Sequence, residues 1–236
     1  MTPGTFKTAN RSHTSFLAAA EKRTLIAIAH RLPAWINSDH LTALGFIALI
    51  AAGLSYAAGN LLLVIPLLAV NWFGDSLDGT LARVRNCQRP RYGFYVDHIL
   101  DAIGMSALMA GMAFSGYISP GVAAVFLIVY LLLSIEIYLA TYSIGTFHLS
   151  YWNFGPTELR ILLVIGNLVA MRRPDVAIAG QRLLLFDVGF AIGAAALAVI
   201  LIQASVKHTR DLYRLEPMPA TSINPVAASN LSRPEA

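Results

Sequence analysis

Four aspartates lie inside the most apolar part of this chain. The stretch Asp75-Ser-Leu-Asp78-Gly79-Thr-Leu-Ala82-Arg83 is followed, after a basic connection, by Gly93-Phe-Tyr-Val-Asp97-His-Ile-Leu-Asp101, with long apolar runs on either side. A carboxylate at the centre of a membrane helix costs up to roughly 2.5–3.5 kcal/mol, and less toward the interface. Four uncompensated ones would cost about 10 kcal/mol, comparable with the whole stability of an ordinary domain. Such a chain folds only if something cationic gathers around these side chains, and a metal ion is the leading candidate.

The spacing supports that idea. At 3.6 residues per turn, Asp75, Asp78, Gly79, Ala82 and Arg83 fall on one side of a helix. Gly93, Asp97, Asp101 and Gly104 form a stripe on the next. Antiparallel packing of the two helices turns the stripes toward each other and closes a carboxylate cage. Ligands that are all oxygen suit Mg²⁺ or Mn²⁺, not zinc or copper. Two divalent ions would balance the four carboxylates. The glycines permit close backbone approach to a ligand, and the planar fork of Arg83 suits phosphate oxygens. The bland alternative is a set of structural carboxylates paired with Arg83, Arg85, Arg89 and Arg91; ion pairing alone does not call for the Gly and Ala positions. Cys87 and His98, inside the same window, are expected to be bystanders.

The pattern D-x2-D-G-x2-A-R-x9-G-x3-D-x3-D, matched here by Asp75, Asp78, Gly79, Ala82, Arg83, Gly93, Asp97 and Asp101, resembles the signature of the CDP-alcohol phosphotransferase (phosphatidyltransferase) family. The resemblance implies an integral-membrane enzyme of phospholipid biosynthesis: an acceptor hydroxyl attacks a phosphoryl group of a CDP-alcohol and CMP leaves. By analogy with the family, Asp75, Asp78, Asp97 and Asp101 are metal ligands for two Mg²⁺ or Mn²⁺ ions. Asp101 is also the expected general base. Asp78, Gly79, Ala82, Arg83 and Gly93 are expected to receive the nucleotide and its diphosphate. The resemblance further implies a homodimer. CDP-diacylglycerol with a small polar acceptor is the first choice of substrates. CDP-choline or CDP-ethanolamine with a lipid alcohol is the alternative, a branch whose members the segment Gly155-Pro156-Thr157-Glu158 resembles.

The rest of the chain is consistent with a membrane protein. It is 56% hydrophobic and 13% charged, with a mean hydropathy of +0.61, which is not the make-up of an ordinary soluble domain. No basic patch with interleaved aromatics points to nucleic acid. Cys87 is the only cysteine, so no intrachain disulfide is possible. The first 15 residues lack an apolar core and a cleavage site, so no signal peptide is expected. The fold class is all-α integral membrane, with six transmembrane helices over about 40–58, 61–84, 93–117, 122–144, 156–171 and 183–206. The fifth is short for a span. An N-terminal amphipathic helix over 14–35, with Phe16, Leu17, Leu25, Ile28 and Leu32 on one side, is expected to lie on the bilayer. Residues 1–13 and 216–236 are expected to be disordered, with 36–215 forming one membrane domain.

Six spans put both termini on one side. Of the 17 basic residues only Arg172, Arg173 and Arg182 fall in the segments opposite the N-terminus, so the positive-inside rule predicts cytoplasmic termini. That places the aspartates near the cytoplasmic face, within reach of a soluble nucleotide, and in the inner membrane if the source is bacterial. Glu158 and Arg160, starting the fifth span on the same side, are candidates for an acceptor pocket. Glu136, expected near mid-membrane, is a third, since an intramembrane carboxylate is a functional hypothesis by default. Tyr151, Trp152 and Phe154 suit an interfacial belt. The small-residue spacings Ala107-x3-Gly111-x3-Ser115 and Gly189-x3-Gly193 allow close helix contact.

Two other classes use similar parts. Intramembrane prenyltransferases also hold Mg²⁺ on aspartates, and Asn71-x3-Asp75 echoes one of their motifs, but the next acidic position is Gly79 and no second Asp-rich motif follows. A divalent-cation transporter would continue its polar pathway across the membrane. Here the acids cluster at one face, with Glu136 the only deeper one.

Overall fold

The structure, a computed structural model, describes residues 18–144 and 156–218. The described residues form seven α-helices and one β-hairpin: α1 (Ala18–Arg31), α2 (Ser38–Ala57), α3 (Leu61–Val84), α4 (Pro90–Ala113), α5 (Pro120–Ile144), α6 (Pro156–Ala170), β1 (Asp175–Ile178), β2 (Gln181–Leu184) and α7 (Leu185–Leu215). Helices α2, α3, α4, α5 and α7 are long and apolar enough to cross a membrane. The sixth expected span, α6, has 15 residues, about 22 Å at 1.5 Å per residue, short of a ~30 Å hydrocarbon core. The expected tail over 1–13, the expected C-terminal tail from 219 onward and the aromatic belt at 151–154 lie outside the described residues.

Local chemistry sets the boundaries. Asn37 caps α2, its side chain accepting from the His40 amide at 3.0 Å, and Asn60 caps α3 by accepting from Leu63 at 3.1 Å. Between α2 and α3 the chain reverses at Gly59, whose φ of +70° is open to glycine at no steric cost. Pro90 starts α4 and Pro120 starts α5, each with an amide that a first turn would leave unpaired anyway. The hairpin was not expected from the sequence. Ala179 and Gly180 both take positive φ, +50° and +81°, giving the two-residue turn that matches strand twist. Asp187 in the first turn of α7 then accepts from the backbone and hydroxyl of Ser119, each at 2.6 Å, which ties the starts of α7 and α5 together.

Helix α2 is the spine. It packs on α3 where Gly45 meets Gly74, and on α4 where Gly53 meets Gly111. A Cβ on Gly74 would lie 2.5 Å from the Leu41 carbonyl oxygen, and one on Gly111 would lie 1.9 Å from the Gly53 carbonyl oxygen. The expected small-residue contact at Gly111 is therefore present. At Gly189 a Cβ would meet nothing among the described residues, and at Gly193 it would touch only the Phe126 ring at 3.2 Å. A core of Tyr56, Leu68, Leu108, Met109, Met112, Phe126 and Phe186 fills the space between α2, α3, α4, α5 and α7. The buried Asn167 amide of α6 donates to the Tyr56 hydroxyl at 2.8 Å.

Helix α1 is amphipathic as expected. Leu25 and Ala29 are buried with Leu41, Leu77 and Leu81, while Lys22, Arg23 and Arg31 are exposed. It lies against α3 near that helix's C-terminal end, held also by Arg85. The Arg85 guanidinium donates to the carbonyls of Leu32, Pro33 and Ile36, stitching the α1–α2 connection to the end of α3.

Candidate metal and nucleotide site

Helices α3 and α4 run in opposite directions through a short connection, so the second half of α3 faces the first half of α4. That brings the four motif aspartates to one cavity, lined also by Thr42, Gly45 and Asn71. One carboxylate oxygen from each of Asp75, Asp97 and Asp101 lies within 4.8 Å of the others. By helical rise, Asp75 is about 13 Å from the C-terminal end of α3 and Asp97 about 10 Å from the start of α4. The cluster thus sits below one end of the bundle, not at its middle.

Asp78 stands beside this trio. Thr42 of α2 donates to its Oδ2 at 2.6 Å, the Gly79 amide donates to its Oδ1, and Ser38 donates to its main-chain carbonyl at 2.8 Å. Helix α2 therefore fixes where Asp78 points. The second anchor comes from α6. Arg160 donates through Nη2 to Asp75 Oδ2 at 2.6 Å and through Nε to Asn71 Oδ1 at 2.8 Å. Asn71 in turn donates to the Gly45 carbonyl at 3.0 Å.

The donor set fits hard divalent ions. Three carboxylate oxygens from two helices converge in a partly buried cavity, and every candidate ligand is oxygen. Among the arginines of the connection, Arg85 is spent on backbone carbonyls and Arg89 on Asp39. Arg160 supplies one positive charge against four carboxylates.

The remaining candidates are distributed as follows. Gly79, Ala82 and Arg83 continue α3 past the aspartates, with Arg83 exposed and donating to Thr80 at 3.1 Å. Gly93 lies in the first turn of α4, and a Cβ there would meet nothing within 4 Å. Glu158 sits in the first turn of α6, on the same helix as Arg160. Glu136 is not among the residues lining the cavity. It faces α7, where His208 Nδ1 lies 2.5 Å from its Oε1. By helical rise it is about 12 Å from the C-terminal end of α5. His98 Nδ1 lies 2.6 Å from the Phe94 carbonyl, and its ring packs against Phe94 and Tyr138. Cys87 is exposed.

Thr42 and Asn71 line the cavity, and sequence reasoning did not single them out for the site. Asn71 carried a signal: it is a polar residue in an apolar run, one helical turn before Asp75 and on its face. Thr42 carried none, because its partner lies in another helix.

Comparison with known proteins decides the family. A family model for CDP-alcohol phosphatidyltransferases matches residues 35–202. The chain belongs to this family. Curated relatives include the archaetidylinositol phosphate synthase of Methanothermobacter thermautotrophicus, 32% identical over 96 residues, covering 41% of this chain and 48% of the relative. The enzyme of the same name from Pyrococcus horikoshii is 30% identical over 83 residues, 35% of this chain and 44% of the relative. The aligned region thus spans just under half the length of these relatives. The crystal structure of Mycobacterium tuberculosis phosphatidylinositol phosphate synthase with CDP-DAG bound superposes with a TM-score of 0.57 at 20% identity, over 84% of this chain and all of that one. That likeness establishes the fold.

Proposed function

We propose that this protein transfers a substituted phosphoryl group from CDP-diacylglycerol to the hydroxyl of a small polar acceptor and releases CMP. The observation that carries the reading is the convergence of Asp75, Asp97 and Asp101, from two facing helices, in the cavity that Asp78 also lines. Family membership supplies the donor class. Both curated relatives are named for making an inositol phosphate lipid, which favours a phosphorylated polyol as acceptor over a lipid alcohol.

In this reading Asp75, Asp78, Asp97 and Asp101 would hold two Mg²⁺ or Mn²⁺ ions, which would supply positive charge beside the phosphoryl group. Asp101 accepts the proton of the acceptor hydroxyl as its oxygen forms the new P–O bond and the bond to the CMP oxygen breaks. Gly79, Ala82 and Gly93 admit the nucleotide close to the backbone, and Arg83 pairs with its diphosphate. Arg160 holds Asp75 in place, and Glu158, two residues earlier on α6, is assigned to the acceptor. Both termini and the site face the cytoplasm, consistent with the distribution of basic residues, and the working unit is a homodimer.

The test is direct. Membranes containing the protein are incubated with labelled CDP-diacylglycerol and inositol phosphate, and with CDP-choline or CDP-ethanolamine and diacylglycerol. CMP release and the lipid product are followed by mass spectrometry. CMP release from the first pair only, dependent on Mg²⁺ or Mn²⁺, is the expected result. Turnover of the second pair alone would move the protein to the choline/ethanolamine branch, and no CMP from either would sink the proposal.

A finer expectation concerns the α2 clamp. Thr42→Val removes the hydroxyl that orients Asp78 while keeping its volume. It should lower thermal stability by about 1 kcal/mol, the usual worth of one hydrogen bond. CMP release should fall about tenfold, the lower end of what loss of an outer partner to a metal ligand costs. Unchanged CMP release would show that Asp78 needs no orientation from α2.

A further inference from the structure

One carboxylate on the N-terminal helix gathers donors from two other helices. Glu21 Oε1 accepts from Trp72 Nε1 at 2.9 Å, from Ser76 Oγ at 3.2 Å and from Thr157 Oγ1 at 3.1 Å. Trp72 and Ser76 belong to α3, and Ser76 directly follows Asp75 in the chain. Thr157 belongs to α6 and lies one turn before Arg160, the residue that grips Asp75 and Asn71. Helix α6 is thus tied to α3 at two levels. Arg160 makes the upper tie directly; Glu21 makes the lower one from a third helix.

The orientation of α1 makes this contact deliberate in energetic terms. The helix buries Leu25 and Ala29 against α3 and leaves Lys22, Arg23 and Arg31 in solvent. Glu21 stands next in sequence to two exposed cations, yet it turns inward. Turning a carboxylate away from water is unfavourable unless hydrogen bonds replace the water, and here three donors do so.

We propose that Glu21 is a positioning residue for the metal site: it sets the spacing of α3 and α6 so that Arg160 holds Asp75 at the angle the site requires. The inference rests on the metal reading given above, and it reaches the site through an element outside the four-aspartate motif. Without the Glu21 oxygen, the first turn of α6 loses its polar tie to α3, Arg160 can swing, and Asp75 loses its fixed orientation.

The test measures Mn²⁺ binding by electron paramagnetic resonance on the purified, detergent-solubilised full chain, alongside CMP release. Glu21→Ala should raise the Mn²⁺ Kd about tenfold, the lower end of the loss expected when a residue supporting metal ligands is removed. Glu21→Gln keeps an oxygen acceptor in the same place and should stay within about threefold of the native protein. Leu25→Ala is the control: it removes apolar packing from the same helix against the same neighbour, so it should lower the thermal midpoint and leave the Kd unchanged. Thr157→Val deletes only the α6 donor; it should raise the Kd in the same direction as Glu21→Ala and serves if that variant does not fold. An unchanged Kd in Glu21→Ala, or equal shifts in Glu21→Ala and Leu25→Ala, would reduce α1 to a structural element and overturn the proposal. So would a Gln variant as weak as the Ala variant. A native protein that binds Mn²⁺ but releases no CMP from any CDP-alcohol defeats the proposed reaction and leaves the positioning role standing.

Discussion

Asp101→Asn is expected to lower the rate of CMP release about 10³-fold while changing the apparent affinity for CDP-diacylglycerol by less than about threefold. The size follows from the general-base role, since positioned proton transfer contributes roughly 10²–10⁴-fold. The asymmetry between rate and affinity follows from what the side chain touches. An amide matches the carboxylate in shape but cannot take a proton from the acceptor. The complication is that Asp101 is also one of the three acids whose oxygens converge within 4.8 Å, so the substitution removes a candidate ligand along with the base. Mn²⁺ binding separates the two effects. If Asp75→Asn and Asp97→Asn weaken Mn²⁺ binding strongly and Asp101→Asn does so weakly, yet Asp101→Asn loses the most turnover, the base assignment holds. If all three lose turnover in proportion to lost metal, Asp101 is only a ligand. Turnover within about tenfold of native in Asp101→Asn would refute both roles.

How much of this arrangement could be read without coordinates depended on the range of the interaction. The aspartate motif was legible because both halves repeat at helical spacing, and because acids in an apolar chain have few inexpensive explanations. The long helices were legible for the same reason: the observed ends of α2, α3, α4 and α5 fall within about four residues of the expected 40–58, 61–84, 93–117 and 122–144, while α7 runs to Leu215, past the expected 206. What was not legible lies across helices. Thr42 meets Asp78 across 36 positions and Glu21 meets Thr157 across 136, and neither pairing leaves a trace in local pattern. Arg160 was noted as a neighbour of the acceptor, whereas its observed partners are Asp75 and Asn71. The charge is the same in either place; only packing decides which acid it finds. Glu136 shows the converse. It was placed from the middle of an apolar run, and its side chain meets His208 of α7, 72 positions away, rather than the residues lining the cavity. The hairpin between α6 and α7 escaped notice because its strands are four residues each and show no alternation of apolar and polar positions.

The second large effect is expected at Gly111, far from any charge. Gly111→Ala should destabilise the protein by about 1–3 kcal/mol, the usual range for overpacking a tight interior, or prevent its accumulation in membranes altogether. The added methyl would sit 1.9 Å from the Gly53 carbonyl oxygen and 2.4 Å from its carbon. Both are backbone atoms, so no rotamer change relieves the clash and α2 must move away from α4. That movement would not stay local. Helix α2 is pinned on its other face by Gly74, where an added methyl would meet the Leu41 carbonyl at 2.5 Å, and it carries the Thr42 hydroxyl that orients Asp78. Displacing α2 from α4 therefore separates the helix that holds Asp78 in line from the helix that bears Asp97 and Asp101. Thermal unfolding in detergent, followed by loss of the monodisperse peak, gives the stability change. Gly189→Ala provides the comparison, since a Cβ there meets nothing within 4 Å, and it should stabilise the protein by roughly 0.4–1 kcal/mol, as expected for Gly→Ala in an open helical position. Equal midpoints for the two variants would mean that α2 and α4 do not approach as closely as the glycine pair requires, and the alignment of the two aspartate-bearing helices would lose its structural basis.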